Sequence, residues 1–243
     1  MEIQIRKEKD GKVYPINNVK DWKTYAHPQD PNKQWVDGKS AKTLAEYAFK
    51  DDKKDFEQKI DGLLSSLNLA IPKAFTCEPE AKTHFPSNWG TSGARSHDLL
   101  MIGNTDILIG IEAKADEPFE KKVSAKRKTA EENNADGGKN MNLRINSILS
   151  FLYPKGVPAN SEDLMYQLLS ATAGTIIEAK KQGKNNAIAL FFVFETAETS
   201  PSRIASNNKD FEDYCKSLGL DPEGGVINID NVNCWIKKIN IKI

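Results

Sequence analysis

The chain has 243 residues, 39% hydrophobic and 28% charged, with 34 basic residues balanced by 34 acidic ones. That length suits one generous domain or two small ones and allows a real core. A net charge of zero gives no global positive field to draw in nucleic acid, which counts against a DNA-coating protein, so such a partner has to meet a local patch. Cys77, Cys215 and Cys234 stand far apart with no CxxC pair, which leaves zinc ribbons and thioredoxin-like chemistry unsupported and fits a reducing cytoplasm. The N-terminus has no apolar run after its charges, so no signal peptide is expected. The apolar stretches are of strand length, short of the roughly 20 residues of a membrane span.

Residues 1–37 read as a polar extension packed on the core, with Ile3, Ile5, Val13 and Tyr14 able to form a hairpin around Asp10-Gly11. Residues 38–243 form the main domain. Ser40 is a candidate N-cap for a helix whose face carries Ala41, Leu44, Ala45, Ala48 and Phe49. A second helix spans Lys54 to Leu67 on the stripe Phe56, Ile60, Leu63, Leu64 and Leu67. Residues 68–96 look irregular, with a short strand between Asn68 and Phe75. Two apolar strands follow at about 97–103 and 107–115, joined by the turn Gly103-Asn104-Thr105-Asp106. Residues 116–140 are charged and read as a mobile loop or a solvated helix with a loose end. A helix around Asn142–Leu152 stops before Pro154, and Ser161 opens a long apolar helix that stops before Gly183. The unbroken run Ala187-Ile-Ala-Leu-Phe-Phe-Val-Phe predicts a strand covered on both faces. A helix over Asp210–Leu218 and strands at Val226–Ile229 and Cys234–Ile243 complete an α/β layered protein.

The two apolar strands carry charges that they could easily lack. Asp98 opens the first, and Glu112-Ala113-Lys114 closes the second. Buried charges are costly unless they pair or hold a metal. Alternation puts Glu112 and Lys114 on one face and Ile107, Ile109, Ile111 and Ala113 on the core face, with Gly110 leaving room beside Glu112. A three-residue loop at Asn104–Asp106 sets Asp98 directly opposite Glu112, whereas a one-residue slip turns it to the wrong face. Two carboxylates at one spot suit a hard divalent cation, Mg²⁺ or Mn²⁺, with the Ala113 carbonyl as a third oxygen. Lys114 is then placed to orient or activate a bound water and to offset charge at an attacked phosphate. Nine other acid-x-Lys triplets occur in the chain, so the spacing alone carries little. Only this copy closes an apolar strand with an upstream acid on the neighbouring strand. The competing reading is a Glu112–Lys114 ion pair on an edge strand.

Asp98 with Glu112-Ala113-Lys114, preceded by a helix and followed by a helix–strand unit, resembles the PD-(D/E)xK nuclease superfamily over about residues 38–196. The resemblance implies a restriction-endonuclease-like three-layer α/β core, with a central mixed β-sheet flanked by helices. It also implies Asp98 and Glu112 as metal ligands and Lys114 as the catalytic lysine. Superfamily members often add a glutamate from the preceding helix, matched in placement by Glu46, and a polar residue on the helix after the third strand, matched by Gln167. His97 stands where that pattern often has proline. The stretch Gly38-Lys-Ser-Ala-Lys-x-Leu-Ala is also similar to uncharacterised bacterial proteins, which implies no activity.

Plainer roles stand beside these. Glu46 can pair with Lys42 or Lys50 at one-turn spacing. Gln167 can satisfy a neighbouring backbone group, and His97 can be structural rather than a ligand. The basic run at 121–128, Arg95 and Arg144 are candidate phosphate contacts, although acids flank the run. Trp89 can stack on a base or fill the core. The expected activity is metal-dependent hydrolysis of phosphodiester bonds, in DNA first, in a restriction or host-defence setting and with a possible homodimer. The alternative is an inactive nuclease-like scaffold that binds nucleic acid or a protein partner.

Overall fold

The computed structural model describes residues 1–28, 30–90, 94–133 and 135–243. Thr91, Ser92 and Gly93 of the Gly/Ser-rich loop, and Asn134 in the charged stretch, lie outside the described residues. Eight strands of the described residues form one mixed sheet in the order β2-β1-β3-β4-β5-β6-β8-β7. The strands are β1 (Glu2–Lys9), β2 (Lys12–Pro15), β3 (Ala74–Thr83), β4 (Arg95–Gly103), β5 (Leu108–Lys114), β6 (Asn186–Glu195), β7 (Gly225–Ile229) and β8 (Val232–Lys242). The helices are α1 (Val19–Tyr25), α2 (Pro31–Gln34), α3 (Ser40–Phe49), α4 (Lys54–Ser66), α5 (Val123–Asn133), α6 (Ala135–Leu152), α7 (Tyr166–Lys181) and α8 (Pro201–Ser217). None is long and apolar enough to cross a membrane among the described residues.

Strand alternation divides the interior into two apolar layers. On one face Ile109, Ile111 and Ala113 of β5 and Phe192 of β6 pack with Leu44 and Ala48 of α3, Phe56, Ile60 and Leu64 of α4, and Trp22 of α1. On the other, Leu108 and Phe191 pack with Ile148 of α6, Leu168 and Ile176 of α7, and Phe211 and Tyr214 of α8. The result is a three-layer α/β architecture. β6 is buried along nearly its whole length between two parallel neighbours, β5 and β8, which is why its sequence is apolar on both faces.

Four departures from the sequence reading have local causes. The first fifteen residues are more than a packed extension, because β1 enters the sheet by pairing in parallel with β3 from Glu2↔Ala74 to Ile5↔Cys77. The irregular stretch 68–96 contains the ten-residue strand β3, with Pro79 inside it. Proline is tolerated there because the β1 ladder has ended at Cys77, so β3 has only β4 beside it at that point. Ser161 opens a short 3₁₀ turn rather than the long helix. Helix α7 waits until Tyr166 because Leu164 and Met165 are held extended: the Val123 N–H donates to the Leu164 carbonyl at 2.9 Å, and Met165 bridges to Lys122. Ser40 is likewise the first helical residue rather than the cap of α3.

Candidate functional site: a carboxylate–lysine cluster where the sheet opens

β4 and β5 pair antiparallel from Ile102↔Leu108 to Leu99↔Ile111, and the Gly103 N–H donates to the Ile107 carbonyl at 3.0 Å. The connection is therefore the three-residue loop Asn104–Asp106, and the register, carried one step further, sets Asp98 opposite Glu112. The ladder stops before that step. β5 continues alongside β6 as far as Lys114↔Val193, while the Ala113 N–H donates to Asp98 Oδ2 at 2.7 Å instead of to a β4 carbonyl. A side-chain carboxylate thus closes the gap that the departing strand leaves.

The departure is built into both neighbouring strands. Leu99 and Met101 face α3 and α4, yet His97 lies against Gly110 and Gly174 on the α7 side. In β3, Phe75 and Cys77 face α3 and α4, whereas Ala81 belongs to the opposite layer. The change of face falls at Glu80 and Asp98, the one position skipped in the ladder between Pro79↔Leu99 and Ala81↔His97. Glu80 has φ of +48°, the left-handed region that glutamate seldom adopts. Lys7 Nζ clamps this bend by donating to Glu78 Oε1 at 2.9 Å and to the Pro79 and Glu80 carbonyls at 2.8 Å each. Backbone strain of this kind is held only where surrounding contacts over-determine it.

Glu112 is the hub of the cluster and only 2% exposed. Its Oε1 accepts from Lys114 Nζ at 3.2 Å and from Gln167 Nε2, and its Oε2 accepts from Arg95 Nη2. Gln167 sits in the first turn of α7, so the positive end of that helix lies over the carboxylate. Burial and then the Glu112 charge hold the Asp98 carboxyl well above its usual range. Burial works against the Lys114 ammonium, but the Glu112, Asp98 and Glu117 charges outweigh it and Lys114 ends above its ordinary value. Burial and the nearby Glu112 also raise Glu80, against a hydrogen bond from Ser96.

The structure brings Asp98, Glu112, Lys114 and Gln167 together and engages Ala113 through its N–H. It does not bring Glu46 to them. Glu46 is exposed on α3 and pairs with Lys42 at 3.5 Å across one helical turn. His97 is fully buried, and its Nε2 lies 3.0 Å from Thr83 Oγ1. Because that hydroxyl donates its proton to Glu178 Oε2 at 3.2 Å, Nε2 is the donor to Thr83. Burial, then Arg95, push the imidazole well below its usual value, so His97 is a neutral structural group. Gly110 leaves no room for a ligand, because a Cβ there would collide with the Thr175 hydroxyl. Trp89 stacks on Phe85 with ring centres 5.5 Å apart and meets Phe151 edge-on. The basic run is largely paired: Lys122 with Asp163, Lys126 with Glu120, Arg127 with Glu162.

Two further acids belong to the surroundings of the cluster, Glu80, which in the sequence counts only among the background acid-x-Lys triplets, and Glu117. Glu80 is hidden in the alternation of Glu78-Pro-Glu-Ala-Lys82, which looks like a solvated strand face. Glu117 accepts from the Ala115 N–H at 3.0 Å and from the Ser40 N–H at 3.2 Å, so it caps α3 where Lys39 provides no side-chain bond. The signal available for Glu117 was its place three residues after Lys114.

Among the described residues no group of three or more His, Cys, Asp or Glu side chains is gathered to hold a metal ion. The smaller set of Asp98 and Glu112 is all oxygen, which suits Mg²⁺ or Mn²⁺. Glu112 already accepts from three nitrogen donors, two of them cationic, so its charge is compensated by Arg95 and Lys114. By donor chemistry, two carboxylates and a backbone carbonyl fit a hard cation, and the Arg95–Glu112 pair stands where one would have to enter. A cleft of about 640 Å³ opens elsewhere, between α4 and the end of β8 beside Lys59, Gly62 and Lys242, and none of these acids lines it.

Fold and site together define a three-layer α/β protein with a buried carboxylate–lysine cluster at an opening in its sheet. Residues 15–240 match the family model DUF6946, described as a domain of unknown function, and the chain belongs to that family. No curated protein and no solved structure matches it.

Proposed function

We propose that the protein is a metal-dependent phosphodiesterase that cleaves nucleic acid, DNA first, and that it is a member of the PD-(D/E)xK nuclease superfamily with a restriction-endonuclease-like core. The observation that carries this reading is the meeting of Asp98 with Glu112, Lys114 and Gln167 where β4 leaves β5. Asp98, Glu112 and the Ala113 carbonyl would hold Mg²⁺ or Mn²⁺. When bound, such an ion supplies a water of lowered pKa and offsets charge on the attacked phosphate. Lys114, a buried ammonium, would orient a water at the site and face the negative charge that develops on the phosphate. Gln167 fixes the rotation of the Glu112 carboxylate. A restriction or host-defence role belongs to this reading by analogy with the superfamily.

The test is cleavage of supercoiled plasmid and of single strands with Mg²⁺ or Mn²⁺. The wild type should cleave one of these only with metal, and Lys114→Ala should lower the rate about a hundredfold or more. Equal cleavage by Lys114→Ala, or hydrolysis that ignores metal, would overturn it. The Arg95–Glu112 pair favours one second reading: a scaffold that binds nucleic acid but leaves it intact, because the carboxylate is already satisfied. Binding in a gel-shift assay without cleavage under either metal selects that reading.

A further inference from the structure

We propose that Arg95 is an internal counter-ion for Glu112, displaced when a divalent cation binds, and that the released guanidinium then grips a phosphate of the substrate with both teeth of its Nε/Nη2 edge. This inference rests on the metal-dependent reading above.

The Arg95 side chain is 9% exposed and meets Glu112 through a single nitrogen, Nη2. The adjacent Nε is buried and has no hydrogen-bond partner among the described residues. A buried donor left without a partner is unfavourable. The Nε/Nη2 edge of a guanidinium matches the two oxygens of a carboxylate or phosphate, and here half of that edge is idle. Arg95 is therefore held by Glu112 but not fully used by it.

The partners are unevenly shared. Glu112 receives Arg95, Lys114 and Gln167, while Asp98, a strand away, receives the Ala113 N–H. A dication between the two acids would satisfy both at once. It would leave Glu112 with less need of a monovalent partner, and of its two cations Lys114 is fixed on the same strand whereas Arg95 comes from β4. The fold has made room for the arginine stem. Gly174 lies inside α7, where glycine disfavours a helix relative to alanine. A Cβ at that position would stand 3.0 Å from Arg95 Cδ.

A second guanidinium lies nearby. Arg144 of α6 packs over the Phe85 ring at 4.6 Å, and its pKa is lowered by burial first and by the Arg95 charge among the other causes. Two arginines that repel each other beside a buried acid suit an added anion, and the anion of the proposed reaction is a phosphodiester.

The experiment measures Mn²⁺ affinity of the full chain by calorimetry and by the electron spin resonance of free Mn²⁺. Wild type, Arg95→Met, Arg95→Gln and Glu112→Gln are compared. Methionine keeps an unbranched stem over Gly174, and glutamine keeps a hydrogen-bond donor without the charge. Both Arg95 variants should bind Mn²⁺ more tightly than wild type, by about tenfold (1.4 kcal/mol), and Glu112→Gln should lose binding. With Ca²⁺ present, the Arg95 variants should bind a short single-stranded oligonucleotide more weakly, with a salt slope smaller by about one. Unchanged or weaker Mn²⁺ affinity in whichever Arg95 variant is folded by circular dichroism overturns the counter-ion role. If wild type binds Mn²⁺ through Glu112 and the variants bind no tighter, only this inference falls. If neither wild type nor the variants bind Mn²⁺, the metal-dependent reading falls with it.

Discussion

At Asp98, burial and the Glu112 charge raise the carboxyl, Lys114 pulls it back, and Glu80 adds to the rise, so the balance ends well above the ordinary value. A carboxyl whose pKa is higher folded than unfolded favours the fold fully below the unfolded value of about 3.9. That contribution is lost as pH rises through the folded value, so the native state carries an unfavourable Asp98 above it. Asp98→Asn keeps an oxygen for the Ala113 N–H and removes the charge. In metal-free buffer it should stabilise the protein at pH 8 by about 1 kcal/mol, read from urea midpoints, and the gain should shrink toward pH 4. A gain that grows on acidification would refute this assignment. The β4–β5 register is legible in the sequence as far as Leu99↔Ile111, because a three-residue loop and a period of two leave one choice, but the end of the ladder there and the turn of the Asp98 carboxylate to the Ala113 N–H are not. The partners of Glu112 were less legible. Gln167 needs a resemblance, and Arg95 reads in the sequence as a candidate phosphate contact with no sign that it pairs with Glu112. The left-handed turn at Glu80 has no sequence mark, because glutamate is not a residue that announces positive φ.

Helix α7 and strand β5 meet so closely that one atom decides the fit. Gly110→Ala would press a methyl into the Thr175 hydroxyl and against His97 Nδ1 at 3.1 Å, with the helix unable to withdraw from a fully packed layer. Destabilisation of about 1–3 kcal/mol is expected. Thr175→Ala in the same chain should relieve part of it, a non-additivity visible in a double-mutant cycle. Strict additivity would show that the collision is absorbed elsewhere. The elements legible from periodicity were those whose apolar residues mark a single pattern: α3, α4, β6 and the β4–β5 pair. β3 was missed because its exposed positions carry charges and its interior holds Pro79, both of which read as loop. Helix α7 was started too early because Ser161-Glu-Asp imitates a helix entrance, while tertiary bonds from Val123 and Lys122 keep the next two residues extended.

Across the whole molecule, the N-terminal hairpin and the cluster are parts of one construction. β1 buries Ile3 and Ile5 against β3, and Lys7 fastens the bend that turns Glu80. Deleting residues 1–15 removes two buried isoleucines, each contributing about 1.5–3 kcal/mol, and uncovers the flank of β3. The truncated chain should lose about 3–6 kcal/mol of unfolding free energy by denaturant titration and gain a tendency to associate. Unaltered stability and solution size would mean that the hairpin is an accessory. Sequence polarity hid this dependence, because a strand pair at the rim of a sheet needs few apolar residues to hold its place.

The parting of β4 from β5 has a further consequence for how the protein stays apart from its own copies. A fissure inside a sheet offers bare peptide groups to any stray strand, just as an outer rim does. Here the Asp98 carboxylate stoppers the fissure by taking the Ala113 N–H. An acceptor is therefore required at that position whatever else the cluster does.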